Sequence, residues 1–298
     1  MNDLYTFGCS YTNYAYPTYA NYLAPYFKTH FNCGFPGSGN RAIFNKLALL
    51  LHKNQIKEND IVTIQWSALA REDKIIKNEW IGCGLITNSP LHDEEYIEKH
   101  FSPKQQAYEL VSYISTILPL LKQKKIRVKW FYMLEPWFSE MLGEPGVVPD
   151  SLVDKYIDVF KSGVIDELKS LSVDDDYIGS IEGFTMDTGY LNFRNKLSYY
   201  VEGTEVHGDD HPNQYVHYLF SKKILDSFQI QPNEHDEFLY QNSLDWTNYI
   251  TNDKLLLEVE KPHMETYNRK IQYFLNEYPN LLWPSTNTVL NIEKKFIK

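Results

Sequence analysis

Cysteine is scarce: 298 residues contain three, Cys9, Cys33 and Cys83, with no Cys-x-x-Cys pair and no even set. A disulfide-stapled secreted scaffold and a structural zinc site are both disfavoured on that count, and a reducing compartment fits. No run of about 18 apolar residues occurs, which argues against a transmembrane helix. The polar start Met1-Asn2-Asp3 lacks the basic and apolar regions of a signal peptide, and lipidation signals are missing. The chain is therefore expected to be soluble, cytoplasmic or intracellular as synthesised, and off the membrane. Basic charge is also short: 29 Lys and Arg stand against 39 Asp and Glu, for a formal charge of -10 and a pI near 5.4. Nucleic acid is thus not an expected partner, because a phosphate backbone needs a basic surface to release its counterions. Glycine vanishes after residue 228, and neither an internal repeat nor a low-complexity run is found.

What is present is apolar and aromatic. Hydrophobic residues make up 43% of the chain, enough to bury the core of one large domain with an appendage. The 23 tyrosines and 6 tryptophans offer amphipathic contact surface for sugars or protein partners, although many will be core. Leu4 to Phe7 reads as a buried strand. Pro17 opens a helix over Thr18 to Phe27, a second strand lies near Phe31 to Cys33, and a glycine-rich turn, Gly34 to Asn40, leads into a helix whose Ile43, Leu47, Leu50 and Leu51 share one face. Asn40 is placed to cap that helix. Asp60 to Trp66 is an interior strand, and residues 72 to 100 read as an irregular insertion. A helix over Lys104 to Lys124, despite Pro119, precedes a strand over Ile126 to Met133; a further helix runs from Ser151 to Leu171. Residues 174 to 206 give no clear pattern, and Asn213 to Phe228 is a helix. Repeated β-α alternation predicts an α/β fold: a mostly parallel sheet covered on both faces. Residues 1–228 form this α/β domain. Residues 229–298, with helices expected at Glu237 to Thr247 and His263 to Tyr278, form a helical C-terminal extension.

Two motifs at opposite ends of that domain carry chemistry. Gly8-Cys9-Ser10-Tyr11-Thr12 places a hydroxyl at the carboxyl end of the first strand, where open α/β sheets hold ligands. Asp209-Asp210-His211-Pro212 offers an imidazole beside carboxylates. A serine needs such a base to take its proton, and the base needs an acceptor to fix its tautomer. Cys9 would point away from Ser10, since neighbouring residues alternate at a strand end.

In order and spacing these motifs resemble the SGNH (GDSL-like) hydrolase family: Ser10 near the N-terminus, a Pro36-Gly37 turn after the second strand, a loop after the third, and Asp/His-Pro before the last helix. The resemblance covers about residues 4 to 228 and implies a flavodoxin-like, three-layer α/β/α fold. It also implies Ser10 as nucleophile, His211 as general base, and the N–H groups of Ser10 and Gly37 in an oxyanion hole. Two departures stand out. The family's Gly-x-Asn-Asp block is replaced by Gln65-Trp66-Ser67-Ala68, so Asn40 or Ser67 would supply the missing side-chain donor. Gly208 occupies the usual acid position, three before the histidine; Asp209 is the preferred partner, with Asp210, Glu205 or no acid as the alternatives.

Each feature also has a duller reading. Ser10 can cap a helix, His211 can be a turn residue, Trp66 can be core, and Arg71 can be a surface charge rather than a holder of a substrate carboxylate or of the active-site loop. His207, Asp209 and His211 have ligand chemistry, but no metal is assigned, and no cofactor is required. The expected function is a serine esterase or deacetylase working through an acyl-enzyme, acting on a small ester such as an acetylated carbohydrate. Ser67, Arg71, Trp66 and Asp210 would support the site or bind substrate. The alternative is a non-catalytic SGNH-like scaffold or interaction protein, such as a viral structural subunit associated with a virion. There the C-terminal extension would serve a protein partner or a homo-oligomer.

Overall fold

A strand covered on both faces must be buried at every position, and Ile61-Val62-Thr63-Ile64-Gln65-Trp66 meets that condition: all six residues are buried. It is the central strand of a five-stranded sheet. The computed structural model describes residues 2–14, 17–76, 79–81, 86, 92–137, 150–187, 197–201, 204–209, 211–252 and 257–258. Along the chain run β1 (Asp3–Phe7), α1 (Tyr19–Leu23), β2 (Thr29–Asn32), α2 (Asn40–His52), β3 (Ile61–Trp66), a hairpin of β4 (Lys74–Ile76) and β5 (Glu79–Ile81), α3 (Glu94–Lys99), α4 (Pro103–Gln123) and β6 (Arg127–Tyr132). Then come α5 (Asp150–Lys161), α6 (Val164–Leu171), β7 (Tyr177–Ser180), α7 (Ile181–Asp187), β8 (Leu197–Val201), β9 (Thr204–Asp209), α8 (Gln214–Ser227), α9 (Asp236–Asn252) and β10 (Leu257–Glu258).

The main sheet has the order β2-β1-β3-β6-β7 with all pairs parallel. The chain builds outward from β1 first to one side and then to the other, so the switch point falls between β1 and β3, where such sheets open a crevice at their carboxyl ends. Period-two alternation divides the core between the two faces. Tyr5, Phe7, Val62, Ile64, Trp66, Val128, Trp130 and Tyr132 pack with Leu47, Ile114 and Leu168 under α2, α4 and α6. Leu4, Ile61 and Phe131 face Tyr19, Phe220 and Ile224 of α1 and α8. The architecture is the three-layer α/β/α sandwich expected from the sequence. A separate three-stranded sheet pairs β9, β8 and β10.

Several local expectations need correction. The first helix stops at Leu23 and tightens into a 3₁₀ turn over Ala24–Tyr26, because Pro25 lacks an N–H to continue the ladder. The second strand begins two residues earlier than expected, at Thr29. Residues 72 to 100 are not wholly irregular: they hold the β4–β5 hairpin and α3, which Asp93 caps through the Tyr96 amide at 2.7 Å. The single helix expected over Ser151 to Leu171 is two, broken at Gly163, whose φ of 75° is left-handed. The unassigned stretch 174 to 206 contains β7, the fifth strand of the sheet. Helix α9 spans the expected Glu237 to Thr247 segment and lies against α8, with Lys222 paired to Asp236 at 2.8 Å and Tyr218 against Tyr240. The helix expected at His263 to Tyr278 lies outside the described residues.

A Cβ placed on Gly163 would meet nothing within 4 Å, so only its backbone conformation constrains it. A Gly163→Ala variant is expected to lose about 1–2 kcal/mol, the cost of a left-handed L-residue. Thermal unfolding should show a drop in Tm of a few degrees, roughly 2–4 °C per kcal/mol for a chain of this size. An unchanged Tm would mean that the α5–α6 junction does not hold this geometry.

Candidate active site

The chain leaves β1 through Gly8 and turns back at once. The carbonyl of Cys9 accepts from the amides of Thr12 and Asn13 at 3.0 and 3.1 Å, which fixes Ser10 at the head of one tight turn. Gln65 of β3 fastens this turn. Its Oε1 accepts from the Cys9 amide at 3.3 Å and from the Thr12 hydroxyl at 2.9 Å, and its Nε2 lies 3.1 Å from the Cys9 sulfur. The approach is so close that a Cβ on Gly8 would come within 2.1 Å of the Thr12 hydroxyl and 2.6 Å of Gln65 Oε1. Thr12 is held further by Tyr19 at 2.9 Å, and its carbonyl accepts from Thr18 and Asn32. The Cys9 sulfur is buried against Gln65 and Met133, yet it does not point away from Ser10 as strand alternation predicts: Cys9 lies in the turn beyond β1, and the Ser10 hydroxyl donates to its sulfur at 3.9 Å.

Across this turn stands His211, two residues before the Asn213 side chain that caps α8 through the Val216 amide at 3.0 Å. Its Nε2 lies 2.7 Å from the Ser10 hydroxyl. Residues 201 positions apart are thus joined in hydrogen-bond contact, the geometry a nucleophile and its base require. Two tyrosines of the same turn hold the ring. Tyr14 stacks on it with centroids 4.4 Å apart and 18° from parallel, and Tyr11 is tilted against it at 4.7 Å. Tyr11 in turn donates to the buried carboxylate of Glu182 and presents its ring edge to His217.

The Gly34–Asn40 loop runs alongside. Phe35 donates its amide to the Gly8 carbonyl at 3.0 Å, and the Asn13 side chain donates to the Gly34 carbonyl. Phe35-Pro36-Gly37-Ser38 closes through Ser38 N–H to Phe35 O at 3.1 Å, with Gly37 at φ 79°. Proline and a left-handed glycine are the residues a type II turn selects for its two central positions. The Gly37 N–H has no acceptor among the described residues. Asn40 does not cap α2: Gly39 is the cap, and the Asp73 carboxylate accepts from the Gly39 and Ala42 amides at 2.7 and 2.9 Å. A carboxylate complements the positive helix end better than an amide does. Asn40 bridges instead to Ser67, accepting from its amide at 2.7 Å and donating to its carbonyl at 3.1 Å. Ser67 is buried and its hydroxyl has no partner among the described residues.

The sequence-derived residues therefore separate into groups. Ser10 and His211 meet. Gly37, Asn40 and Ser67 line the two loops beside them. Trp66, the last residue of β3, is fully buried in the main core. Arg71 is buried beside the Gly37 turn and is no surface charge. Asp209 ends β9 opposite Leu197, but its side chain lies outside the described residues, as does Asp210. Tyr11, Tyr14, Gln65, Asp73 and Glu182 were not singled out. Gln65 had a signal, since a polar residue in an interior strand must find partners; Asp73 and Glu182 had none, because their contacts are made only in three dimensions.

No protein-family model and no curated protein matches the sequence. Among solved structures the chain is similar to a member of the lipolytic protein G-D-S-L family from Veillonella parvula, at 13% identity and a TM-score of 0.41, covering 78% of this chain and 100% of that one. It is also similar to an acetyl xylan esterase, at 12% identity and a TM-score of 0.41, covering 76% and 98%. A Bacillus subtilis protein is 16% identical with a TM-score of 0.41, and the matched region spans 76% of this chain and only 56% of that one. At such distances the likenesses assign no residue and no substrate.

Two expectations follow. Gly8→Ala should overpack the turn, destabilising the fold by about 1–3 kcal/mol and moving Ser10 off His211; denaturant unfolding of the variant checks this. Burial holds His217 down to about 3, helped by the charge of His211, and burial alone holds His30 to about 3. Both rings are thus neutral in the fold and bind protons once unfolded. Their stabilisation is complete above pH 6.5 and is lost as pH falls toward 3, at about 1.4 kcal/mol per pH unit for each ring. A His217→Phe variant should show a shallower loss over that window.

Proposed function

We propose that the chain is a serine ester hydrolase of the SGNH type, and the observation that carries this reading is the 2.7 Å contact between the Ser10 hydroxyl and His211 Nε2. Ser10 Oγ attacks the ester carbonyl while His211 Nε2 takes its proton, and the same proton passes to the departing alkoxide. Water, deprotonated by His211, then attacks the acyl-Ser10 ester, and the proton returns to Ser10 as the acid leaves. Asp209 is assigned as the acceptor that orients the imidazole. The N–H groups of Gly37 and Ser10 and the Asn40 amide would hold the oxyanion, and loss of one such donor costs roughly a hundredfold or more.

An O-acetylated carbohydrate is the substrate class we favour. The support is aromatic: half-buried Tyr14 stacks on the histidine, and Phe35, on the Gly37 turn, is exposed. Such faces suit the apolar side of a sugar ring.

Purified chain should hydrolyse 4-nitrophenyl acetate, and Ser10→Ala or His211→Ala should each lower kcat/KM by at least about a thousandfold with the fold intact by circular dichroism. Equal rates in all three proteins would overturn the reading in favour of a non-catalytic scaffold.

A further inference from the structure

Arg71 lies four residues beyond Ser67, in the loop at the carboxyl end of β3, and is 8% exposed. A buried guanidinium is strongly disfavoured unless an anion and hydrogen-bond acceptors surround it. Among the described residues no carboxylate approaches it within salt-bridge distance. Its one side-chain hydrogen bond to a described residue is a long one, Nη1 to the Ser38 carbonyl at 3.4 Å, and its Nε has no acceptor among them. Asp73 is a counter-charge that Arg71 feels, since the guanidinium helps hold its carboxyl down against the burial that pushes it up, but its two oxygens are directed at the Gly39 and Ala42 amides and it makes no ion pair with Arg71.

The position of this cation is specific. Its backbone carbonyl packs under Gly39, where a Cβ would come within 3.0 Å of it, and its side chain reaches the residue after Gly37. Its charge also acts on Cys9, next to Ser10: burial pushes that thiol up, and Arg71, the Tyr11 amide, Gln65 and Ser10 together bring it below its ordinary value. A fixed positive charge therefore stands beside the proposed oxyanion loop, with its Nε unpartnered among the described residues.

We propose that Arg71 binds a carboxylate of the substrate, so that the site selects esters carrying a negative charge close to the scissile bond, such as acetylated acidic sugars. The inference rests on the serine-hydrolase reading of the same site. A planar guanidinium with free donors takes a carboxylate in a two-point grip that a neutral group cannot match. In a chain of net charge -10, such a local cation is also what an anionic substrate would need to overcome general repulsion.

Two matched ester pairs test this on the full chain: 4-acetoxybenzoate against 4-acetoxybenzamide, with the charge on the alcohol side, and mono-4-nitrophenyl succinate against 4-nitrophenyl butyrate, with the charge on the acyl side. In one pair the anionic ester should be preferred in kcat/KM. Arg71→Gln should cut that preference by about tenfold or more, mainly through KM, as loss of a charged hydrogen-bond partner implies. Arg71→Lys, which keeps the charge, should restore part of it. Ser10-dependent hydrolysis with no charge preference in either pair, or a preference that survives Arg71→Gln, overturns the proposal and leaves the hydrolase reading standing. Should none of the four esters be hydrolysed, that reading fails instead. Arg71 is then judged by succinate alone: a rise in Tm that is lost in Arg71→Gln supports an anion site, and no rise refutes it.

Discussion

One buried carboxamide holds the site together. Gln65 sits in the middle of the sheet, where an unpaired amide would cost a few kcal/mol, and its oxygen is satisfied by the Cys9 amide and the Thr12 hydroxyl. Through those bonds the central strand fixes the shape of the turn that follows its neighbour β1. The closeness of that turn requires Gly8 to have no side chain. Ser10 is thereby presented at the switch point of the sheet by rigid elements, the condition under which a hydroxyl and an imidazole can be kept in productive contact.

The second half of the constellation arrives from the far end of the domain. The Asn213 cap fixes where α8 begins, and the two residues before it carry His211 to the turn. The imidazole is then held by Tyr14 on its face and Tyr11 against it, both supplied by the segment that carries Ser10. Behind them lie His217, neutral by burial, and Glu182 bonded to Tyr11. The turn thus brings its own clamp for the imidazole, and the fold needs only to deliver the ring. On the opposite side, Asn40 and Asp73 lock α2 to the loop after β3, so the Gly37 N–H and Arg71 are held in one body.

Much of this was legible in the sequence. The interior strand at residues 61 to 66 shows as an apolar run, α2 shows as a stripe of Ile43, Leu47, Leu50 and Leu51, and the Pro36-Gly37 pair marks its turn through backbone preference alone. Ser10 and His211 were recognisable because small residues before a hydroxyl and a His-Pro before a capped helix are local patterns. What failed was non-local. The strand at Tyr177–Ser180 is four residues long with a glycine at φ 95°, and only its pairing with β6 makes it a strand. Asn40 looked like a cap because residues of its kind cap helices, yet Asp73, more than thirty residues away, does so with both carboxylate oxygens. The tyrosines around His211 were hidden among 23 of their kind.

The most direct test of the central claim is chemical. The full chain is incubated with a fluorophosphonate that reacts only with activated serine hydroxyls, and the product is read by intact mass and peptide mapping. The account predicts one phosphonyl group per chain, on Ser10, formed at a rate that collapses in the His211→Ala variant. No adduct, or an adduct that forms equally well without His211, would contradict it.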